Sequence, residues 1–381
     1  MGWNHRTREA TNHSSTTSLG VDTYEMTDSR PFAGWSAIVG SLLDGRDLDA
    51  ASADAAVTEI LNGTATPSQM AAFLVALRAK GETAVELEAM LTAVRRASVT
   101  VSLPEAVAAR AIDIVGTGGD KSNSVNVSTM SALVVAASGV PVCKHGNRAS
   151  SSTCGSADVL EAAGVAIELD PDGVQRCVEE TGFGFCLAAK FHPAFRHVGP
   201  TRREIGVPTA FNLLGPMANP APISFMLVGV AQAHMMEKMA HALISRGVTR
   251  AWIVNGHHGL DELSVSGPNS VCDIREGKIT MMTLDSAEYG IARSDISDIV
   301  GGDATANMDT MKLVFAGQAG PVRDIVSFNS ASALFVAGYA NSIEEGVRIA
   351  HETLDSGAAA STLAKVVEVS QREKSRMESG S

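Results

Sequence analysis

The sequence predicts an α/β protein: a small all-helical N-terminal domain followed by a larger domain built on a mostly parallel central sheet flanked by helices. Three observations carry this. Residues 35–97 hold apolar stripes at spacings of three and four, the period of buried helix faces. From residue 112 onward short apolar runs alternate with helical stretches, as repeated βα units do. Aromatic residues make up only 4% of the chain while glycines number 35, the texture of helices packed closely on a parallel sheet.

Taken in order, residues 1–30 are polar, rich in Ser and Thr and without a hydrophobic period, which reads as a disordered extension. Met26 opens a more ordinary start, so translation from Met26 is an alternative to Met1. The helical unit spans 31–100. Its stripes are Ile38/Leu42/Leu43, Ala56/Ile60/Leu61, Met70/Phe73/Leu74/Leu77 and Leu87/Met90/Leu91/Val94, with Thr66-Pro67-Ser68 reading as an N-cap and a first-turn proline.

The α/β domain spans 101–370. Strands are expected at 112–115, 140–143, 184–187, 225–230 and 251–254, and as a hairpin at 271–274 with 278–283. Helices are expected at 131–138, 157–163, 232–246, 302–316, 321–339 and 343–368. Five prolines punctuate 190–220, a segment expected to cross back to the helical unit or to hinge the two domains. Residues 371–381 read as a polar tail.

At 381 residues the chain is long enough for two cores. Thirty basic against 42 acidic residues give a formal charge of −12, which argues against a nucleic-acid binder driven by counterion release. A local basic pocket for phosphates remains compatible with it. No run approaches the ~18 apolar residues of a membrane span, and no apolar leader is present, so a cytoplasmic protein is expected. Cys143, Cys154, Cys177, Cys186 and Cys272 form no CxxC pair and read as buried free thiols.

Three clusters carry chemistry. Gly116-Thr117-Gly118-Gly119-Asp120 follows an apolar strand at once, and glycine there lets backbone approach an anion. Downstream, Asn126-Val127-Ser128-Thr129 is expected to cap a helix whose first amides offer an anion site. The second cluster, Lys144-His145-Gly146-Asn147-Arg148-Ala149 with Ser150, Ser151 and Ser152, gathers donors at the C-terminal end of a strand, where open α/β sheets place ligands. In the third, Gly259-Leu260-Asp261-Glu262, adjacent carboxylates face different ways and suit a hard cation better than a shared proton. Taken singly, an ordinary tight turn, a solvated basic turn and a surface acidic pair are the alternatives. All three in one chain point to a polyanionic ligand with a divalent cation. Arg202-Arg203 could hold a substrate carboxylate or form a surface salt bridge. His192 and His197 are as readily structural as functional, His257-His258 lacks a matched third metal ligand, and the 15 methionines read as core filler.

These stretches resemble the anthranilate phosphoribosyltransferase family, over roughly residues 33–370. The resemblance rests on GTGGD at 116–120, NVST at 126–129, KHGNRASSS at 144–152 followed by GSADVLEAAG, RREIGVPTAFNLLGPMANP at 202–220 and GLDEL at 259–263. It implies a two-domain homodimer, paired through the helical domain, that moves a phosphoribosyl group from phosphoribosyl pyrophosphate to anthranilate in tryptophan biosynthesis. By motif, Gly116, Gly119, Asp120, Ser124, Asn126, Val127, Ser128 and Thr129 would bind phosphoribosyl pyrophosphate. Lys144, His145, Gly146, Asn147, Arg148, Ala149, Ser150, Ser151, Ser152 and Ser156 would complete that site. Gly116, His145, Asn147 and Arg202 would meet anthranilate. Ser128, Asp261 and Glu262 would hold Mg2+, two ions in all, and Lys144, Arg202, Asp261 and Glu262 would carry the catalysis.

Ser124 stands where a threonine is common, and Phe195 occupies a variable place in the acceptor channel. Two rival readings share the fold. A pyrimidine nucleoside phosphorylase would carry Lys-His-Ser before its Thr-Gly-Gly, whereas this chain has Ile114-Val115-Gly116 before Thr117. A non-catalytic homologue that binds nucleic acid would need a basic face, against the −12 charge.

Overall fold

Three side-chain caps start the helical bundle. The Asp49 carboxylate accepts from Ser52 N at 2.7 Å, and Thr66 and Thr83 each exchange bonds with the residue three positions on, Gln69 and Glu86. Each satisfies amide donors that a helix start leaves open. The computed structural model describes residues 32–149 and 153–380, and Phe32 onward forms one compact unit. The expectations for residues 1–30, including the alternative start at Met26, and for Ser150, Ser151 and Ser152 lie outside the described residues.

The bundle comprises α1 (Trp35–Leu43), α2 (Ala50–Leu61), α3 (Pro67–Lys80) and α4 (Ala84–Arg96). Glu86 is buried and spoken for: it accepts from Leu48 N at 2.9 Å and pairs with Lys80 at 3.0 Å, tying the α1–α2 connection to α4. A short helix, α5 (Glu105–Ala108), leads into the sheet.

The α/β part then runs β1 (Ile112–Gly116), α6 (Val127–Ala137), β2 (Val142–Gly146), α7 (Ser156–Ala162), α8 (Pro171–Thr181), β3 (Phe183–Leu187) and α9 (Ala188–Phe191). It continues with α10 (Phe195–Ile205), α11 (Ala210–Met217), β4 (Phe225–Gly229), α12 (Met236–Ser245), β5 (Arg250–Asn255), β6 (Asn269–Arg275) and β7 (Lys278–Leu284). Four helices finish the chain: α13 (Ala304–Phe315), α14 (Pro321–Val336), α15 (Ile343–Asp355) and α16 (Ala358–Ser379).

The seven strands lie in the order β3-β2-β1-β4-β5-β6-β7, the first five parallel and the last two an antiparallel hairpin. Both faces of the sheet are covered, as parallel sheets require. Ile112, Ile114, Val142 and Phe183 face a core shared with α6 and α14, while Val115, Cys143, Cys186 and Val228 face one continuous with the helical bundle. All five cysteines are buried free thiols. No helix of the described residues is long and apolar enough to cross a membrane.

Several elements depart from expectation. The 190–220 segment is two helices, α10 and α11, with Pro200 and Pro216 inside them. Both pack on the bundle, α10 against α2 and α3, α11 against α3 and α4. The helix expected at 131–138 begins four residues earlier, and Asn126 makes no side-chain cap. The long helix expected at 343–368 breaks at Gly357, which takes φ +73°. Residues 371–379 continue α16 rather than forming a tail, because Glu373 is buried between Arg176 (2.6 Å) and Arg372 (2.9 Å). Helix α8, capped by Asp170 ahead of Pro171, was open to sequence reading through that Asp-Pro start.

Candidate active site

The cavity of about 370 Å³ that collects the sequence motifs opens at the C-terminal ends of β1 and β2. From β1 the chain moves outward one way to β2 and β3, and then the other way to β4 and β5. The β1/β4 seam is therefore the topological switch point, where open α/β sheets leave a crevice for ligands. Gly116 and Gly229 lie side by side there, and Thr117 N donates to Gly229 O at 3.0 Å.

The loop leaving β1 is wound by left-handed residues. Gly118 and Gly119 have φ of +68° and +82°, and Lys121 and Asn123 also take positive φ. Non-glycine residues reach that region at a cost, offset here by bonds to the segment before α13. Val125 N donates to Ile299 O at 2.9 Å, Gly301 N to Asn123 O at 2.8 Å, and Ser124 bridges Val300. Buried Asn307 of α13 completes the clamp: it accepts from Gly302 N at 2.7 Å and donates to Asn126 Oδ1 at 2.9 Å. Asn126, expected as a cap, thus serves as a strut, with a second bond to Cys154 O at 3.1 Å.

The second loop is pinned by Asp158, whose carboxylate accepts from Ala149 N at 2.8 Å and Gly155 N at 2.9 Å. Arg148 reaches back to Glu161, with bonds of 2.7 and 3.1 Å. Neither Asn307 nor Asp158 was singled out from sequence. A lone Asn in an amphipathic helix gives no signal, whereas an acid in the first turn of α7 was a readable one.

Asp261 and Glu262 follow β5 and press against the β1 loop and the start of α6. Gly118 N donates to the Asp261 carboxylate at 2.6 Å, and Ser128 N, in the first turn of α6, donates to Glu262 at 3.1 Å. A Cβ on Gly116 would meet the Asp261 carboxylate, and one on Gly229 would overlap its main-chain carbonyl, so two glycines make room for this residue. Desolvation, then the nearby Asp120 charge, raises the Asp261 carboxyl to about 7. Desolvation and Asp261 raise Glu262 to about 8, with Lys144 opposing. Among the described residues no three His, Cys, Asp or Glu side chains form a metal-ligand cluster. What exists is a pair of hard, under-neutralised oxygen donors facing an open pocket. That set fits a cation completed by substrate oxygens and water, the habit of magnesium.

Strand β2 runs further than expected, so Lys144 and His145 sit within it and point to opposite faces. Lys144 is wholly buried. Its ammonium donates to Ile114 O and, at 3.2 Å, to Ser128 Oγ, and burial pulls its affinity for the proton down against the attraction of Asp113 and Glu262. Lys144, expected to meet the donor, lines the cavity with its ammonium beneath Ser128. His145, on the other face, donates its amide to Asp113 at 3.2 Å and holds Nδ1 3.1 Å from Gly215 O. Burial and the neighbouring His192 hold it well below its usual pKa. It is therefore neutral, and with Nδ1–H spent on a carbonyl, Nε2 is a buried acceptor without a partner among the described residues.

An aromatic wall completes the cavity. His192 stacks on Phe195 at 5.0 Å, Phe195 meets Phe211 edge-on at 5.6 Å, and the Arg202 guanidinium lies 5.7 Å over the Phe211 ring. Asn212 fixes Arg202 with a 3.1 Å bond and accepts from Thr209 N at 3.0 Å. Arg203 is exposed, so only the first arginine of the pair reaches the pocket. His197 packs instead beside Gly63.

Gly116, Gly119, Asp120, Ser124, Asn126, Val127 and Ser128 line the cavity, as do Lys144, His145, Gly146, Asn147, Arg148, Ala149 and Ser156. Arg202, Asp261 and Glu262 join them. Thr129 does not: its side chain is buried in α6, away from the wall. The Val127 side chain is also in the core, leaving only its backbone for a ligand.

Comparisons with known proteins agree with this geometry. Residues 36–98 match the helical bundle domain of a glycosyl transferase family, and residues 108–360 match that family's a/b domain. An anthranilate phosphoribosyltransferase of Salinispora arenicola is 45% identical over 340 residues, covering 88% of this chain and 96% of its own. The crystal structure of the Thermus thermophilus anthranilate phosphoribosyltransferase superposes with a TM-score of 0.82 at 39% identity, covering 88% of this chain and 99% of its own. That of the Saccharomyces cerevisiae enzyme in complex with PRPP and Mg superposes with 0.81 at 28% identity, covering 89% and 98%. With two domains matched in order, and a relative this similar over nearly its full length, the chain belongs to the anthranilate phosphoribosyltransferase family.

Proposed function

We infer that the protein transfers the 5-phosphoribosyl group of phosphoribosyl pyrophosphate to the amine of anthranilate, in tryptophan biosynthesis. The products are N-(5-phosphoribosyl)anthranilate and pyrophosphate. One observation carries the reading: a phosphate-type double loop with two under-neutralised carboxylates faces an aromatic wall that ends in a desolvated arginine, across a single cavity.

In this reading the β1 loop, from Gly116 to Ser124, and the amides and hydroxyls of α6 and the second loop cradle the donor. Ser150, Ser151 and Ser152 belong to that cradle by motif. Asp261, Glu262 and Ser128 would hold magnesium, in two ions, which supplies positive charge for the departing pyrophosphate. Lys144 is a positioning residue: from beneath, it orients the Ser128 hydroxyl and offsets the charge of Glu262. Arg202 takes the anthranilate carboxylate, its fork held by Asn212 and its plane by Phe211. The ring lies against the wall formed by Phe195 and Phe211, and Gly116 and Asn147 close over it.

The aromatic amine is neutral near pH 7, so no strong base is required. Its lone pair forms the N–C1 bond as the C1–O bond to pyrophosphate breaks, and the surplus amine proton passes to solvent. His145, neutral and on the cavity wall, lies near the amine and takes no proton from it. We further propose a homodimer through the helical bundle, supported by Leu43, Val75 and Val85, large apolar side chains left exposed on α1, α3 and α4. Light scattering should then give twice the 39.6 kDa chain mass. Leu43→Asp with Val75→Asp should give the single-chain mass, and an unchanged dimer would refute this interface.

The test of activity is the decay of anthranilate fluorescence on adding phosphoribosyl pyrophosphate, with magnesium and then with excess chelator. Decay is expected only with donor and metal together. Arg202→Ala should raise the anthranilate KM about 10–100-fold, the worth of a charged hydrogen-bonded pair, with the donor KM little changed. Folded protein that leaves the fluorescence constant would overturn the reading.

A further inference from the structure

A second cavity, of about 340 Å³, lies between the ends of α4 and α12, outside the site described above. It is walled by Arg95, Arg96 and Arg246, with Thr92, Ser245 and Glu88 among the other residues that line it. The charges are unevenly matched. Arg96 is paired with Asp54 by bonds of 2.8 and 3.0 Å, and Glu88 at the wall accepts from the Ser245 hydroxyl. Arg246 spends part of its guanidinium on two main-chain carbonyls, Asn219 O at 3.2 Å and Ala221 O at 3.4 Å. Arg95 donates no side-chain hydrogen bond to any described residue, and neither Arg95 nor Arg246 has a carboxylate within 4.0 Å among them.

Two half-buried guanidiniums on one cavity, neither in contact with a carboxylate of the described residues, are an unfavourable arrangement for an empty pocket. Burial and mutual repulsion pull Arg246 down to about 9, and burial lowers Arg95. The C-termini of α4 and α12 attract cations and account for basic residues there. They leave the Arg95 hydrogens without an acceptor.

We propose that this cavity is a binding site for a small dianionic oxyanion of the orthophosphate kind, held between Arg95 and Arg246. Its volume accommodates a tetrahedral anion with several waters, each taking ~30 Å³. Arg246 also connects this cavity to the wall of the active site. Arg246 holds Asn219 through its carbonyl, the Asn219 amide donates to Asp113 at 2.8 Å, and Asp113 accepts from His145 N.

The site is tested with the full chain, independently of the transferase reading. Crystals soaked in selenate should show anomalous density within hydrogen-bond distance of both Arg95 and Arg246. In solution, orthophosphate should raise the melting temperature of the wild type more than that of Arg95→Leu, while turnover in the fluorescence assay stays within about two-fold. Arg95→Glu supplies the missing anion internally, so it should melt higher than wild type in phosphate-free buffer and respond less to phosphate. Selenate density at the glycine loop but none between these arginines would overturn the proposal. So would an Arg95→Leu phosphate response equal to that of the wild type, or an Arg95→Glu variant that melts lower without phosphate.

Discussion

Asp261→Asn will lower kcat/KM by about 10²–10³-fold, the scale set by removing one preorganised electrostatic contact from a closed site, and will leave the protein folded. Asparagine keeps an oxygen to accept from Gly118 N, so the β1 loop stays tethered. What is lost is the charge facing the cavity. The fluorescence assay at saturating magnesium measures the loss, and recovery of wild-type rates by raising magnesium alone would show weakened affinity rather than lost stabilisation. Full activity of the variant would remove Asp261 from the proposed chemistry.

The pH dependence gives this prediction a sign. The Asp261 carboxyl is raised in the folded protein to about 7, above its unfolded value near 4. The folded state therefore binds the proton more tightly, and in chelator the wild type gains stability relative to Asp261→Asn as pH falls from about 7 towards 4. Melting curves across that window check it.

Gly229→Ala is expected to cost about 3 kcal/mol or more of stability, at the upper end for overpacking, together with most of the activity. The methyl group would overlap the Asp261 carbonyl, which also lies close to the paired Gly116. No flexible side-chain end is available to give way, so the chain carrying both carboxylates must shift. Gly118→Ala is the control. Its Cβ would meet nothing, and only the left-handed φ of +68° is strained, a cost of about 1 kcal/mol. Urea denaturation of the two variants separates crowding from backbone strain. Equal, small losses would refute the close-approach account.

Much of the donor half of the site was legible because its signals are local. A glycine run directly after an apolar strand, a donor-rich loop after the next strand, and an acidic pair after the fifth each announce themselves within ten residues. The acceptor half was legible only in part. Arg202 was singled out, but the five prolines of 190–220 masked two helices. There burial of Val198, Phe211, Leu214 and Met217 outweighs the helix-breaking tendency of Pro200 and Pro216. Asn212, which aims Arg202, sits in the 202–220 stretch with no local pattern to mark it. The end of α16 was missed for a related reason: polar residues 371–379 read as solvated, yet Glu373 is buried by Arg176 and Arg372 from two different helices.

The sequence by itself determined the α/β class, the helical unit ahead of it, the order of strands and loops and the residue types that meet a phosphorylated ligand. All of these depend on periodicity, turn chemistry and spacing along the chain. Only the tertiary structure decided which side of β2 each neighbour faces, putting Lys144 under Ser128 and His145 against Gly215. It also decided that Asp261 packs on two glycines from different strands, and that Arg95 and Arg246 share a cavity with no carboxylate of the described residues in contact with either. Those outcomes depend on strand register and on desolvation by residues of other elements, and neither is a property of any local stretch of sequence.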